Sequence, residues 1–309
     1  MYFGESGKAW IAALPGLAEE CLDRWRLRVD GPAMNGAVAL VLPVVRADGT
    51  PAVLKLQPVD DETCGEPVAL RAWAGLGAVP LLEADPRTGA MLLERLDPAR
   101  SLRAVPDDMA ALRILSELLA RLVAVPAPAG LRQLSDVAGA VLDRAAAVRR
   151  TLADPSDRRL VEACAASLRE VLDQPGDRLL HWDLHYDNVL ATAPSSGRDE
   201  WLAIDPKPLA GDPGFDLYPA LWNRWDEVEK SGDTARAVRG RFDLMTECVG
   251  LDRQRAAAWT LGRVLQVMVW TVENGEPRLP AIPTAIARTL LSRRSVSYTH
   301  LTLPTILRV

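Results

Sequence analysis

The hydrophobic rhythm of the chain changes along its length. Residues 6–26 place Trp10, Leu14, Leu17, Leu22 and Trp25 near helical spacing, which predicts an amphipathic helix. Pro15 lacks a backbone donor, so two short helical pieces are expected there. Two β-type runs follow, 37–45 and 51–56, separated by Ala47-Asp48-Gly49-Thr50. Asp-Gly between apolar runs signals a tight hairpin. A helical pattern then opens at Glu66, with Leu70 and Trp73 on one face and Pro67 suited to the first turn. The runs V-P-L-L-E-A-D and A-M-L-L-E-R-L-D read as a further antiparallel pair.

From Asp107 the pattern is mostly helical. Leu112, Leu115, Leu119 and Leu122 form an apolar stripe that Pro126 ends. Further helices are expected over 135–152, 156–173, 234–249, 252–273 and 281–293, with a start near Pro213 as well. Asp154-Pro155 breaks the second of these from the first, and Asp136 and Asp157 fall in or near first turns, where negative charge suits the helix dipole. Trp259, Leu261, Leu265 and Met268 are core positions. The pattern predicts an α+β protein with a small antiparallel lobe over residues 1–97 and a larger, mainly helical lobe over 98–294.

A chain of 309 residues is long enough for two such lobes. Its net charge of −5, with no basic block, argues against a nucleic-acid partner. Cys21, Cys64, Cys164 and Cys248 are far apart with no C-x-x-C, which argues against a disulfide framework and fits a reducing cytoplasm. No secretory pattern opens the chain and no long apolar run offers a membrane span, so no membrane partner is expected. The last stretch, S-V-S-Y-T-H-L-T-L-P-T-I-L-R-V, carries no acid and departs from the Ala/Arg/Gly/Leu-rich body. It resembles translated linker sequence, and residues 295–309 are expected to be a non-native or disordered tail.

The candidate chemistry lies between Arg178 and Lys207. Two short apolar runs, 178–181 and 201–204, flank H-W-D-L-H-Y-D-N, and Asp205 ends the second run. A kinase-type catalytic loop reads H-x-D-L-x-x-x-x-N and is followed by a metal-binding Asp at a strand end. His181, Asp183, Leu184 and Asn188 match that string, with Asp205 at the later position. Phosphoryl transfer needs positioning and charge neutralisation. Asp183 is therefore the expected base for an acceptor hydroxyl. Asn188 and Asp205 offer the oxygen ligands that Mg²⁺ prefers. The competing reading is a metal site made of His181, Asp183 and His185 on alternate strand positions; no cysteine lies nearby.

Lys55, in A-V-L-K on the second strand of the hairpin, resembles a kinase strand lysine that meets nucleotide phosphates, and Glu66 is its expected partner. The ordinary alternative for Lys55 is an edge-strand charge. Glu94 and Leu96 fall where a hinge would pair with adenine. Asp216, in G-D-P-G-F-D, is expected behind the catalytic loop, bonded to its backbone; Asp212 reads as a cap or an acceptor contact. Gly31 to Gly36 is a poor match to a glycine-rich phosphate loop. Asp226, Glu227, Glu229, Glu273, Asn274 and Glu276 are candidate contacts for an amine-bearing acceptor, with solvated helix faces as the simpler reading.

D-G-T-P-A-V-L-K-L, the R-A-W after Glu66, M-L-L-E-R-L-D, H-W-D-L-H-Y-D-N-V-L and W-L-A-I-D-P-K together resemble the aminoglycoside phosphotransferases, within them the streptomycin 6-kinase and hydroxyurea-resistance kinase group. The resemblance runs from about residue 30 to 290. It implies a protein-kinase-like two-lobe fold, ATP and Mg²⁺ as cofactors, and phosphorylation of a small-molecule hydroxyl, with a cationic aminoglycoside such as streptomycin as the expected acceptor. It also implies Asp183 as catalytic base, Asn188 and Asp205 as metal ligands, Lys55 with Glu66 as the phosphate-orienting pair, and His181 and Asp216 as supporting residues. A kinase for another small hydroxyl metabolite or sugar, and a non-catalytic nucleotide-binding pseudokinase, are the alternatives.

Overall fold

The computed structural model describes residues 4–35, 39–198 and 200–299. Helix α1 (Gly4–Arg24) leads into a six-stranded antiparallel sheet built from β1 (Arg28–Val29), β2 (Met34–Asn35), β3 (Leu40–Val45), β4 (Pro51–Leu56), β5 (Leu81–Asp85) and β6 (Ala90–Glu94). The strand order is β1-β3-β4-β6-β5, with β2 also on β3. Helix α2 (Glu66–Trp73) lies between β4 and β5 in the chain.

Helix α1 is a single piece despite Pro15. A proline at that position deprives the Ile11 carbonyl of its helical donor. Ile11 is 61% exposed, so water can serve that carbonyl and the helix continues. The inner face of α1, including Leu14, Leu17, Cys21 and Leu22, packs together with the following Trp25 on Val44, Ala52, Leu54, Leu56, Ala90 and Leu92 of the sheet.

Strand alternation decides what the other face carries. With Ala52, Leu54 and Leu56 turned to α1, Val53 and Lys55 must face the opposite way, and both line a cleft. The hairpin that sets this register closes at Asp48-Gly49, as expected: Gly49 has φ 84° and its N–H donates to Arg46 O at 2.9 Å. The first expected strand begins later than 37 within the described residues, at Leu40.

The change of sheet falls between Glu94 and Leu96, slightly before the boundary expected at 97. Strand β7 (Leu96–Ser101) belongs to a second sheet, with order β10-β9-β7. Helices α3 (Asp108–Val123), α4 (Leu134–Thr151) and α5 (Pro155–Arg169) follow, then β8 (Arg178–Leu180), β9 (Val189–Thr192), β10 (Trp201–Ala203) and β11 (Leu209–Gly211). The chain ends its described part with α6 (Tyr218–Leu221), α7 (Trp225–Lys230), α8 (Thr234–Val249), α9 (Arg253–Glu273) and α10 (Ala281–Thr299). Aspartates cap α3, α5, α8 and α9 through their side chains, satisfying orphan N–H groups of the first turn.

Helix α10 continues past the expected end at 293, into the first five positions set aside as tail. Each added residue closes one more helical hydrogen bond, so propagation is easy once a helix has formed. The rest of that expected tail, 300–309, lies outside the described residues, as do Gly36, Ala37 and Val38 of the glycine-containing turn.

One large core unites the inner face of α2 and β6 with the helical lobe. Trp73 of α2 donates its indole N–H to Leu122 O at 3.0 Å. The strap after α2 pairs with β10: Ala203 N donates to Gly77 O and Val79 N to Ala203 O, each at 2.9 Å. A Cβ on Gly65, just before α2, would lie 2.9 Å from Leu131 and Pro208 side-chain atoms. The helix that carries Glu66 is therefore seated on the second lobe at both of its ends.

Candidate active site

The turn joining β8 to β9 is held from three sides. His181 is fully buried. Its Nε2 lies 3.0 Å from Ile204 O and its Nδ1 lies 3.3 Å from the Asp183 N–H. A carbonyl on one nitrogen and an N–H on the other fit a neutral ring with its proton on Nε2. Burial pushes its pKa from 6.5 down to about 4, against the pull of Asp183 and Asp205. Both ring nitrogens are thus occupied, and His181 cannot ligate a metal with Asp183 and His185; that alternative falls.

Asp216 lies behind the turn. Its two carboxylate oxygens accept the N–H groups of His181 and Trp182, each at 2.7 Å. The 3-10 turn Pro213–Leu217 that carries it sits tightly on α9. A Cβ at Gly214 would lie 2.8 Å from Ala256 Cα, and Thr260 Oγ1 donates to Gly214 O at 2.8 Å. Burial pushes the Asp216 pKa up to about 7, although its two backbone hydrogen bonds act the other way. Asp212 is not among the residues gathered around Asp183. It accepts from Gly214 N at 2.8 Å and pairs with Arg255 at 2.6 Å, as a cap.

Trp182 adopts φ 65° and Asp205 φ 58°, left-handed backbone that non-glycine residues rarely take. The Trp182 ring has Arg132 at 4.4 Å and Arg263 at 4.9 Å from its centroid, within cation–π range. The turn places the Asp183 carboxylate in a cleft of about 600 Å³ with Trp182, Lys207, Trp222, Arg263 and Trp270. Lys207 Nζ donates to Asp183 Oδ2 at 2.9 Å.

On the other side of the same turn lies a cleft of about 680 Å³, lined by Lys55, Glu94, Leu96, Asn188 and Asp205 among others. Lys55 Nζ lies 2.7 and 2.8 Å from the two Glu66 oxygens and 2.5 Å from Asp205 Oδ1. Gln57 Nε2 donates to Glu66 Oε2 at 2.6 Å. Burial alone would depress the Lys55 pKa, but Glu66 and Asp205 outweigh it and hold the ammonium charged. Burial likewise works against the Asp205 carboxylate, and Lys55 more than compensates.

Asn188 Nδ2 donates to Asp183 O at 2.9 Å, which turns its amide oxygen away from that carbonyl. Ile204 N donates to Asn188 O at 2.9 Å, so Asp205 follows directly on a residue bonded to Asn188. The pair supplies only oxygen donors, the chemistry that suits a hard divalent cation such as Mg²⁺.

Of the residues singled out in the sequence, Lys55, Glu94, Leu96, Asn188 and Asp205 line the larger cleft and Asp183 the smaller one, His181 and Asp216 lie behind the turn, and Glu66 meets the larger cleft only through Lys55. Glu94 engages Arg198 through its side chain, and its N–H donates to Pro80 O at 3.0 Å. Arg95, next to it, ties the crossing segment to the first sheet through Asp30 and Val44 O, both at 2.8 Å. Of the outlying acids, Asp226 pairs with Lys230, Glu229 accepts from Trp225, and Glu273 pairs with Arg144; only that last pair stands at the acceptor cleft, through Arg144.

Sequence reading missed Lys207, Arg132, Arg263 and the tryptophan walls. Lys207 carried a signal, a lysine two positions after Asp205 in an arginine-rich chain. Arg263 carried a weaker one, a charge inside the apolar stretch L-G-R-V-L of α9.

Residues 24–275 match the model of the aminoglycoside/hydroxyurea antibiotic resistance kinase family. The chain belongs to that family. It is a phosphotransferase with a hydroxyl acceptor. It is 56% identical over 288 residues to a streptomycin 6-kinase of Streptomyces glaucescens, covering 93% of this chain and 92% of that one. It is 55% identical over 294 residues to a hydroxyurea phosphotransferase of Kitasatospora aureofaciens, covering 94% and 83%. Among solved structures, the aminoglycoside phosphotransferase APH(4)-Ia superposes with a TM-score of 0.62 at 15% identity, covering 90% of this chain and 98% of that one. That likeness establishes the two-lobed kinase fold of the family.

Proposed function

We propose that this kinase transfers the γ-phosphoryl group of ATP to a hydroxyl of streptomycin or a closely related aminoglycoside. The observation that carries the reading is Asp183 on the acceptor side of a turn whose other side presents Asn188, Asp205 and Lys55. A nucleotide in the larger cleft would lay its phosphates against Lys55, which Glu66 keeps aimed. Asn188 and Asp205 would hold Mg²⁺, which would offset phosphate charge. Asp183 would accept the proton of the attacking hydroxyl. Asp216 and the neutral His181 hold the Asp183 backbone in place.

A cleft of about 600 Å³ suits an acceptor of drug size. Trp222, Trp270, Glu62 and Asp183 in its lining suit cationic groups of the kind aminoglycosides carry, while Arg144, Lys207 and Arg263 of the same lining suit hydroxyl and phosphate oxygens. Near-equal identity to a hydroxyurea phosphotransferase supports a second reading, with hydroxyurea as acceptor. Hydroxyurea would fill little of that space. A kinase for another small hydroxyl metabolite or sugar, and a nucleotide-binding pseudokinase, are the remaining competitors.

Mass spectrometry after incubation with ATP and Mg²⁺ separates these. A streptomycin product one phosphate heavier is the expected result. Phosphorylation of hydroxyurea alone would select the second reading, and product from a sugar alone the third. ATP binding without transfer to any acceptor would select the pseudokinase.

A further inference from the structure

Lysine is scarce in this chain. Lys8, Lys55, Lys207 and Lys230 are four among 36 lysines and arginines. Two of these four line the active-site clefts. Lys55 belongs with Glu66 and Asp205. Lys207 has been given no task, yet it is placed with care. Its Nζ lies 2.9 Å from Asp183 Oδ2, and its backbone N–H donates to His181 O at 3.0 Å. It follows Asp205 by two residues and stands beside Asp183 in the acceptor cleft. Its ammonium therefore sits where the acceptor side meets the phosphate side, with 32% of the side chain still exposed. A compact ammonium on a flexible stem can pivot between oxygens there, whereas a guanidinium is a rigid planar fork.

We propose that Lys207 is a second catalytic residue of the phosphoryl transfer; the proposal rests on the reading given above. Before transfer, Lys207 occupies Oδ2 of Asp183 and leaves Oδ1 to receive the acceptor hydroxyl. During transfer, a lone pair of the hydroxyl oxygen forms the new bond to the γ-phosphorus. The bond from that phosphorus to the β–γ bridging oxygen breaks, and the electron pair stays with ADP. The hydroxyl proton passes to Asp183. A protonated carboxyl no longer attracts the ammonium as an ion, so Lys207 turns to the equatorial oxygens of the moving group, where the charge is spread. One side chain thereby couples proton removal to charge neutralisation.

The test compares wild type, Lys207→Ala and Lys207→Arg with ATP and streptomycin. Lys207→Ala is expected to lower kcat about 100-fold, the scale seen when one charge-stabilising donor is removed. KM for both substrates should stay within about threefold, because the contact forms in the transition state. Added methylamine should restore kcat in a dose-dependent way, an effect that a merely structural defect would not show. Lys207→Arg keeps charge and bulk and should still lose about tenfold in kcat; it carries the test if Lys207→Ala does not fold. Full kcat in either folded variant, or a loss in Lys207→Ala that methylamine leaves untouched, overturns the role of Lys207 alone. A wild-type chain that phosphorylates no acceptor overturns the underlying reading, and this role with it.

Discussion

The Trp182 N–H donates to Asp216 Oδ1 at 2.7 Å, at a residue whose φ is 65°. A left-handed non-glycine residue costs roughly 1–3 kcal/mol and persists only when its surroundings over-determine it. Here a buried carboxylate does so. Asp216→Ala would leave the N–H groups of His181 and Trp182 without an acceptor, at about 1–3 kcal/mol each. A loss of roughly 2–6 kcal/mol in unfolding free energy is expected from denaturant titration. Because Asp183 is the next residue, turnover should fall as well, and Asp216→Asn, which keeps one acceptor oxygen, should recover part of both. An Asp216→Ala protein as stable as wild type would remove Asp216 from this role.

Asp183→Asn should separate binding from chemistry. The carboxylate faces the acceptor cleft and does not line the nucleotide cleft. A loss of about 10²–10⁴ in kcat is expected, the range that a positioned acid or base contributes. ATP affinity, measured by calorimetry, should stay within about threefold. Full turnover would exclude Asp183 as the base.

Lys55 and Glu66 should not be equivalent when removed. Lys55→Ala leaves Glu66, 1% exposed, with Gln57 as its remaining partner among the described side chains. Stranding a buried charge costs about 3–5 kcal/mol. Glu66→Gln leaves Lys55 its contact with Asp205. Lys55→Ala should therefore show the larger fall in melting temperature and the larger rise in KM for ATP. The reverse order would mean that Asp205 does not hold Lys55 in solution.

His181 predicts an acid-side weakness. Its folded pKa of about 4 lies below the ordinary 6.5 because burial disfavours the imidazolium. The unfolded chain therefore takes up the proton first. Stability due to His181 is complete above pH 6.5 and is lost as pH falls toward 4, by up to roughly 3 kcal/mol. Asp216, raised to about 7, acts in the opposite sense, gaining stability as pH drops through that value. The difference between wild type and His181→Asn isolates the histidine contribution, since both proteins keep Asp216. Unfolding free energies from pH 7 to 4 should converge for the two proteins. A constant gap would show that His181 is not protected from protonation.

Much of this site was legible because its parts sit in one short stretch. The spacing from His181 through Asn188 to Asp205 named the turn, and the A-V-L-K string on the second strand of the Asp48-Gly49 hairpin singled out Lys55. The expected helices 234–249 and 252–273 match Thr234–Val249 and Arg253–Glu273 to within a residue, and the structure shows Asp233 and Asp252 capping them. What escaped depended on distant contacts. Nothing local tells that Arg132 and Arg263, far apart in sequence, meet the same tryptophan ring. Strands β9 and β11 have only four and three residues, too few for alternation to mark them, and β7 pairs with β9 through a register shift between Asp97 and Ser101. Pro15 misled for a different reason: an exposed helix can shed one hydrogen bond to water and continue.

The seating of α2 across both lobes has a bearing on how such an enzyme is governed. Many kinases are silenced by swinging the helix that bears the lysine's partner out of reach. Here that motion would have to break the Trp73–Leu122 bond and lift the buried Trp73 from its core. The Lys55–Glu66 ion pair is thus held by the same packing that seats the helix. Displacing α2 in this chain would forfeit that buried tryptophan contact together with the Lys55–Glu66 ion pair.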